Sequence, residues 1–90
     1  MFAMGKHSLK ALSQAIAREH AQDGVHAVHI RIDCGIDGPK AKEWMGDKYD
    51  SDLLGSPDDL ADTYVWLAQQ PKHGWTNEID LRPYKEKWTL

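Results

Sequence analysis

Cysteine is almost absent from this chain: Cys34 stands alone among ninety residues. No internal disulfide can form, which fits a reducing compartment. A lone thiol is expected as a small buried hydrophobe rather than as a nucleophile or redox sensor. Long apolar runs are also lacking. No stretch approaches the ~20 residues of a membrane span, and no apolar core followed by a cleavage site resembles a signal peptide. The expectation is a cytoplasmic protein with no membrane contact. The net charge of -3 gives no broad basic surface, so nucleic acid is not an expected partner. The seven glycines are scattered, and none fits the strand-Gly-x-Gly-x-x-Gly-helix pattern that cradles phosphate. No Gly-x-Ser-x-Gly elbow supplies an esterase-type serine. His26 and His29 fall three apart on an expected strand, on opposite faces, and cannot share a metal. His7 and His20 are turns apart on an expected helix and His73 is in a turn, so no metal site is expected.

What is present suits one small domain spanning residues 1–90, with 41% hydrophobic and 28% charged residues. The most legible stretch runs from Ser56 to Arg82. Ser56 can cap a helix, Pro57 suits its first position, and Asp58 and Asp59 favour its positive end. Leu60, Ala61, Tyr64, Leu67 and Ala68 then form an apolar stripe. Pro71 stops the helix, at about Gln70, and Lys72-His73-Gly74 is a turn. From Trp75 to Arg82 the residues alternate: Trp75, Asn77, Ile79 and Leu81 point one way, and Thr76, Glu78, Asp80 and Arg82 the other. Such a helix and strand form the second half of a crossover unit and need a strand before them.

The earlier residues supply it. Residues 1–22 read as a long helix with Phe2, Leu9, Leu12 and Ile16 in one stripe. Ser8, Ala11 and Ala15 make a strip of small residues beside it, Lys6 and Lys10 lie on the flank, and Arg18 faces away. Gly24 suits a left-handed cap. Residues 25–33 read as a strand, with Val28, Ile30 and Ile32 on one face and Ala27, His29 and Arg31 on the other. A loop, a short helix near 40–45, an acidic connector over 46–55 and a tail over 84–90 complete the chain. The acids between Asp47 and Asp62 and the bases Arg82, Lys85 and Lys87 are expected as two solvated surfaces. The predicted fold class is α/β: a long helix, then a parallel β-α-β unit with a right-handed connection.

The chain also resembles the C-terminal part of the short-chain dehydrogenases/reductases. Phe2-Ala3-Met4-Gly5-Lys6 is similar to that family's Tyr-x-x-x-Lys signature at the start of a long helix. The likeness continues through Leu9, Leu12 and Ala15-Ile16-Ala17-Arg18-Glu19, then Gly24-Val25-His26 and Asp33-Cys34-Gly35-Ile36. It ends with Gln69-Gln70-Pro71 and Trp75-Thr76-Asn77-Glu78-Ile79-Asp80-Leu81-Arg82-Pro83-Tyr84. The resemblance implies the C-terminal fragment of a Rossmann-like fold, with Lys6 at the position of the catalytic lysine and Gly35 in the loop that touches the nicotinamide. Phe2 stands where the tyrosine acid/base belongs, and a phenyl ring has no proton to give.

The family's Thr-Gly-x-x-x-Gly-x-Gly turn, Asn-Asn-Ala-Gly segment and catalytic serine have no counterpart in these ninety residues. The resemblance therefore implies a truncated oxidoreductase homologue, inactive alone. NAD or NADP is its cofactor by resemblance only, and none is expected to bind the isolated chain. Lys6 is then expected as an ordinary surface lysine. A homodimer or higher homo-oligomer is expected, because a two-stranded parallel sheet is a poor stand-alone structure. Docking onto an intact homologue, or onto a chain that supplies the N-terminal half of an active enzyme, are the alternative partnerships. Trp66, on an otherwise polar helix face among Asp59, Asp62 and Gln70, marks either a contact or a site covered by the 84–88 tail.

Overall fold

The computed structural model describes residues 2–87, with side chains from residue 4 onward. A nineteen-residue helix, α1 (Phe2–His20), runs into one 3-10 turn, Ala21–Asp23. Gly24 then ends it in the left-handed region at φ 84°, donating its N–H to Ala21 O at 3.0 Å. A side chain there would be strained, so the glycine is what lets the chain turn back. The elements that follow are β1 (His29–Ile32), β2 (Gly35–Ile36), α2 (Ala41–Met45), β3 (Leu54–Gly55), α3 (Pro57–Ala68) and β4 (Glu78–Leu81).

β1 and β4 pair in parallel, from His29 opposite Glu78 to Ile32 opposite Leu81. The chain between them passes through α3, giving the expected parallel β-α-β order. A second parallel pair, β2 with β3, places Gly35 opposite Leu54 and Ile36 opposite Gly55. This pair was not foreseen, and it reorganises the segment read as an acidic connector over 46–55. That segment holds two 3-10 turns, Gly46–Lys48 and Ser51–Leu53, and then β3.

Both long strands are shorter than the sequence pattern implies, and side chains are the reason. Ahead of β1, His26 stacks on Trp75 with ring centres 4.6 Å apart, and its Nε2 lies 2.7 Å from Thr76 O. Ahead of β4, the Gln70 amide engages Thr76 twice. Its Oε1 accepts the Thr76 N–H at 2.8 Å and its Nε2 donates to Thr76 Oγ1 at 2.8 Å. Backbone groups that would have extended the ladder are taken by these bonds.

The start of α3 is as read. The Ser56 hydroxyl accepts from Asp59 N at 3.4 Å, and Pro57 opens the helix. Its inward line differs from the expected stripe. Leu67 is buried and Leu60 and Thr63 are half-buried, whereas Ala61, Tyr64 and Ala68 are exposed. α1 departs further. Its half-buried residues are Lys10, Ser13, Gln14 and Ala17, at helical spacing on one face. The stripe of Leu9, Leu12 and Ile16 faces outward. The Phe2 side chain lies outside the described residues.

Among the described residues the buried apolar set is small: Ala41, Leu54 and Leu67, joined by His29. The shape matches this. The radius of gyration is 15.5 Å, against roughly 12 Å for a compact domain of this length. No helix of the described residues is long and apolar enough to cross a membrane.

The acidic and basic segments are largely exposed, as expected, but they also meet. The tail turns back after Pro83, and Lys85 Nζ donates to Asp50 Oδ2 at 2.9 Å. The Tyr84 hydroxyl donates to Asp52 Oδ2 at the same distance.

Candidate functional site

In a parallel α/β arrangement the carboxyl ends of the strands are where a cleft tends to open, because the chain leaves neighbouring strands in different directions. Here the end of β1, the end of β4 and the start of α3 frame an open cavity of about 530 Å³. Leu54, Leu60 and Leu81 form its apolar wall, while Asp37, Asp52 and Asp59 put carboxylates around it.

Arg82 fixes the rear of this cleft. Its Nη1 donates to Asp33 Oδ2 at 2.5 Å, and its Nη2 donates to Glu86 O at 2.7 Å. The two side chains are only 10% and 15% exposed, so one guanidinium ties the end of β1 to the returning tail in a low-dielectric setting. The carboxylates are engaged as well. Asp37 accepts the Tyr49 hydroxyl at 2.9 and 3.1 Å, and Asp52 accepts that of Tyr84. These bonds hold both phenols protonated, raising them above the ordinary tyrosine value.

Cys34 lines the cleft and is half-buried. Burial pushes its thiol up, with the backbone of Gly55 partly opposing the shift. A thiol raised in this way is favoured in its protonated form. Gly55 is constrained by the same packing. A Cβ there would sit 3.0 Å from Cys34 Sγ and 3.1 Å from a Leu60 methyl.

The residues singled out by resemblance are not gathered in this cleft. Lys6 is exposed on α1, and Gly35 lies in β2; neither is among the cavity's lining residues. Gly35 has a packing role instead. A Cβ there would come within 2.9 Å of the Trp44 indole and 3.1 Å of a Leu54 methyl. Asp37, Ser51, Asp52 and Tyr84 line the cleft and were missed by sequence reasoning. They come from turns and a tail, where no periodicity marks an inward residue. Among the described residues, no group of three or more His, Cys, Asp or Glu side chains is placed to hold a metal ion.

Compared with protein-family models, with curated proteins and with solved structures, the chain matches none. The likeness to short-chain dehydrogenases/reductases therefore rests on the quoted residues alone.

Proposed function

We propose that this chain works by association: it is an α/β module whose outward helix faces are completed by a second copy, and it is not an oxidoreductase by itself. One observation carries the reading. α1 turns Lys10, Ser13 and Gln14 toward its own sheet and leaves Leu9, Leu12 and Ile16 in water. A helix with a covered polar face and a bare apolar one is oriented for a surface outside its own fold.

Origin as the C-terminal fragment of a Rossmann-like short-chain dehydrogenase/reductase belongs to the same proposal. Its support is the long first helix followed by parallel strands joined through α3. In this reading Lys6 is a surface lysine and Gly35 a packing glycine. NAD or NADP finds no phosphate loop in these ninety residues.

Two measurements test the proposal. Titration of NADH and NADPH, followed through the four tryptophans, is expected to show no saturable change; saturable binding reversed by Lys6→Ala would refute the non-catalytic reading. Sedimentation at micromolar concentration is expected to give a mass of at least twice 10.2 kDa. A folded species at the single-chain mass would refute association.

A further inference from the structure

We propose that the cleft at the carboxyl ends of β1 and β4 binds a small organic cation, an ammonium group carried on an apolar body. The proposal does not rest on the association reading, which concerns the outward faces of the helices.

The first observation is the cavity itself. Its volume of about 530 Å³ lies within the roughly 300–1,000 Å³ of small-molecule sites. It opens where the strands end, the usual place for a ligand in a parallel α/β unit. Leu54 of β3, Leu60 of α3 and Leu81 of β4 converge on it from three separate elements. Leu54 is buried and the other two are half-buried. Together they give an apolar body a wall to lie against.

Charge is the second observation, and it is one-sided. Asp37, Asp52 and Asp59 stand around the apolar wall. The hydroxyls bound to Asp37 and Asp52 come from Tyr49 and Tyr84, neutral phenols that leave the carboxylate charge in place. Among the described lining residues Arg82 is the one base, and its guanidinium is already matched by Asp33 and by Glu86 O. Lys85, further along the tail, donates to Asp50. The start of α3 offers an anion little in exchange. The Asp59 N–H is spent on the Ser56 hydroxyl, and Asp58 and Asp59 already meet the positive end of the helix. Cys34 reports the same imbalance from the lining. Burial pushes its thiol up and the Gly55 backbone opposes this; among the charges, Glu86 and Asp33 each raise it by more than Arg82 lowers it. Such a field draws a cation in and turns an anion away.

The layout favours an organic cation over a metal ion. Among the described residues no three His, Cys, Asp or Glu side chains are placed to hold a metal. The carboxylates are spread around leucines, which suits one charged head and an apolar body behind it.

The test is a titration of the full chain followed by amide NMR, with three probes of similar size: phenethylammonium, 3-phenylpropionate and neutral 2-phenylethanol. Phenethylammonium is expected to give saturable shifts at Leu54, Leu60 and Leu81, with a dissociation constant of about a millimolar or below. The other two probes are expected to bind roughly fivefold more weakly or worse. Asp52→Asn and Asp59→Asn each remove one charge with little change of shape, and each is expected to weaken phenethylammonium roughly fivefold. Ser51→Lys, at an exposed lining position, brings a tethered ammonium to the cleft and is expected to weaken the probe further. Far-UV circular dichroism checks that the variants are folded, and the comparison of probes on the wild-type chain stands without them. No saturable shift, equal binding of 3-phenylpropionate, or shifts confined to residues outside the cleft overturns the proposal. So does phenethylammonium binding that folded Asp52→Asn, Asp59→Asn and Ser51→Lys all leave unchanged.

Discussion

α1 and α3 are both amphipathic helices, yet they sit on the fold in opposite ways. α3 is anchored by apolar burial: Leu67 is 3% exposed, and Leu60 reaches Gly55 at the cleft. It then carries a second apolar face outward. α1 has only the outward one. Its inner face is mostly polar, with Lys10, Ser13 and Gln14 beside Ala17, and Lys10 Nζ reaches Glu78 Oε1 of β4 at 2.8 Å, both side chains about 40% exposed. Such solvent-exposed pairs contribute little. Beneath α1 lies His29, buried, with Nδ1 lacking a hydrogen-bond partner among the described residues. The difference teaches that α3 belongs to this chain's own core, while α1 leaves its Leu9, Leu12 and Ile16 stripe exposed.

The sharpest way to break that contrast is to truncate one leucine on each helix. Leu67→Ala is expected to cost about 2–5 kcal/mol in urea unfolding, the range for a buried leucine. Leu12→Ala, measured in dilute monomer, is expected to stay within about 0.5 kcal/mol, as an exposed substitution does. Equal losses would mean that α1 packs on its own sheet after all.

Next in size is Arg82→Leu. Losing the bonds to Asp33 and Glu86 O should cost about 1.5–3 kcal/mol, and amide exchange should accelerate over residues 83–87. An unchanged exchange rate there would remove the role given to Arg82 in holding the tail. Smaller still is Ser56→Ala, which deletes the cap of α3 and should lower stability by about 1 kcal/mol.

The smallest effect expected is one of pH. The Lys10 ammonium hydrogen-bonds Glu78 and holds its carboxyl below the usual range; Lys85, and then the Asp52 N–H, do the same for Asp50. A lowered folded value means these contributions are complete above the ordinary carboxylate range, near pH 4, and are lost as pH falls through the folded values. Lys85 is raised by Asp50, so the alkaline end mirrors this: its contribution is complete below the ordinary lysine value and fades as pH rises through the folded one. Thermal scans of Lys10→Met between pH 6 and pH 3 should show a shallower decline than wild type. An identical slope would mean the ion pair does not tether α1 in solution.

How much of this was legible follows from what each pattern depends on. The cap Ser56-Pro57, the left-handed Gly24 and the parallel pairing of the two alternating segments are local or nearly so, and each was read correctly. The α3 stripe was read correctly at Leu60 and Leu67 but too widely, because Tyr64 and the two alanines are apolar by composition yet face outward. Composition does not say which of two apolar arcs meets the core. β2 and β3 have two residues each, too few to show any period. The cleft is assembled by the return of Arg82 and Tyr84 onto residues 33 and 52, contacts separated by 49 and 32 positions. No window along the chain can display contacts of that span. Lys6 and Gly35 could be matched only by resemblance, and the structure gives each of them a place without joining them in the cleft.

The central claim is that this fold is completed by another chain, and thermal unfolding at two protein concentrations tests it most directly. A fold coupled to association is stabilised by mass action, so its midpoint depends on concentration. The account predicts a midpoint that rises measurably between 2 and 200 micromolar protein, roughly a hundredfold range, and that stops rising in Leu12→Asp. A cooperative transition at the same temperature at both concentrations, in the wild-type chain, would contradict it.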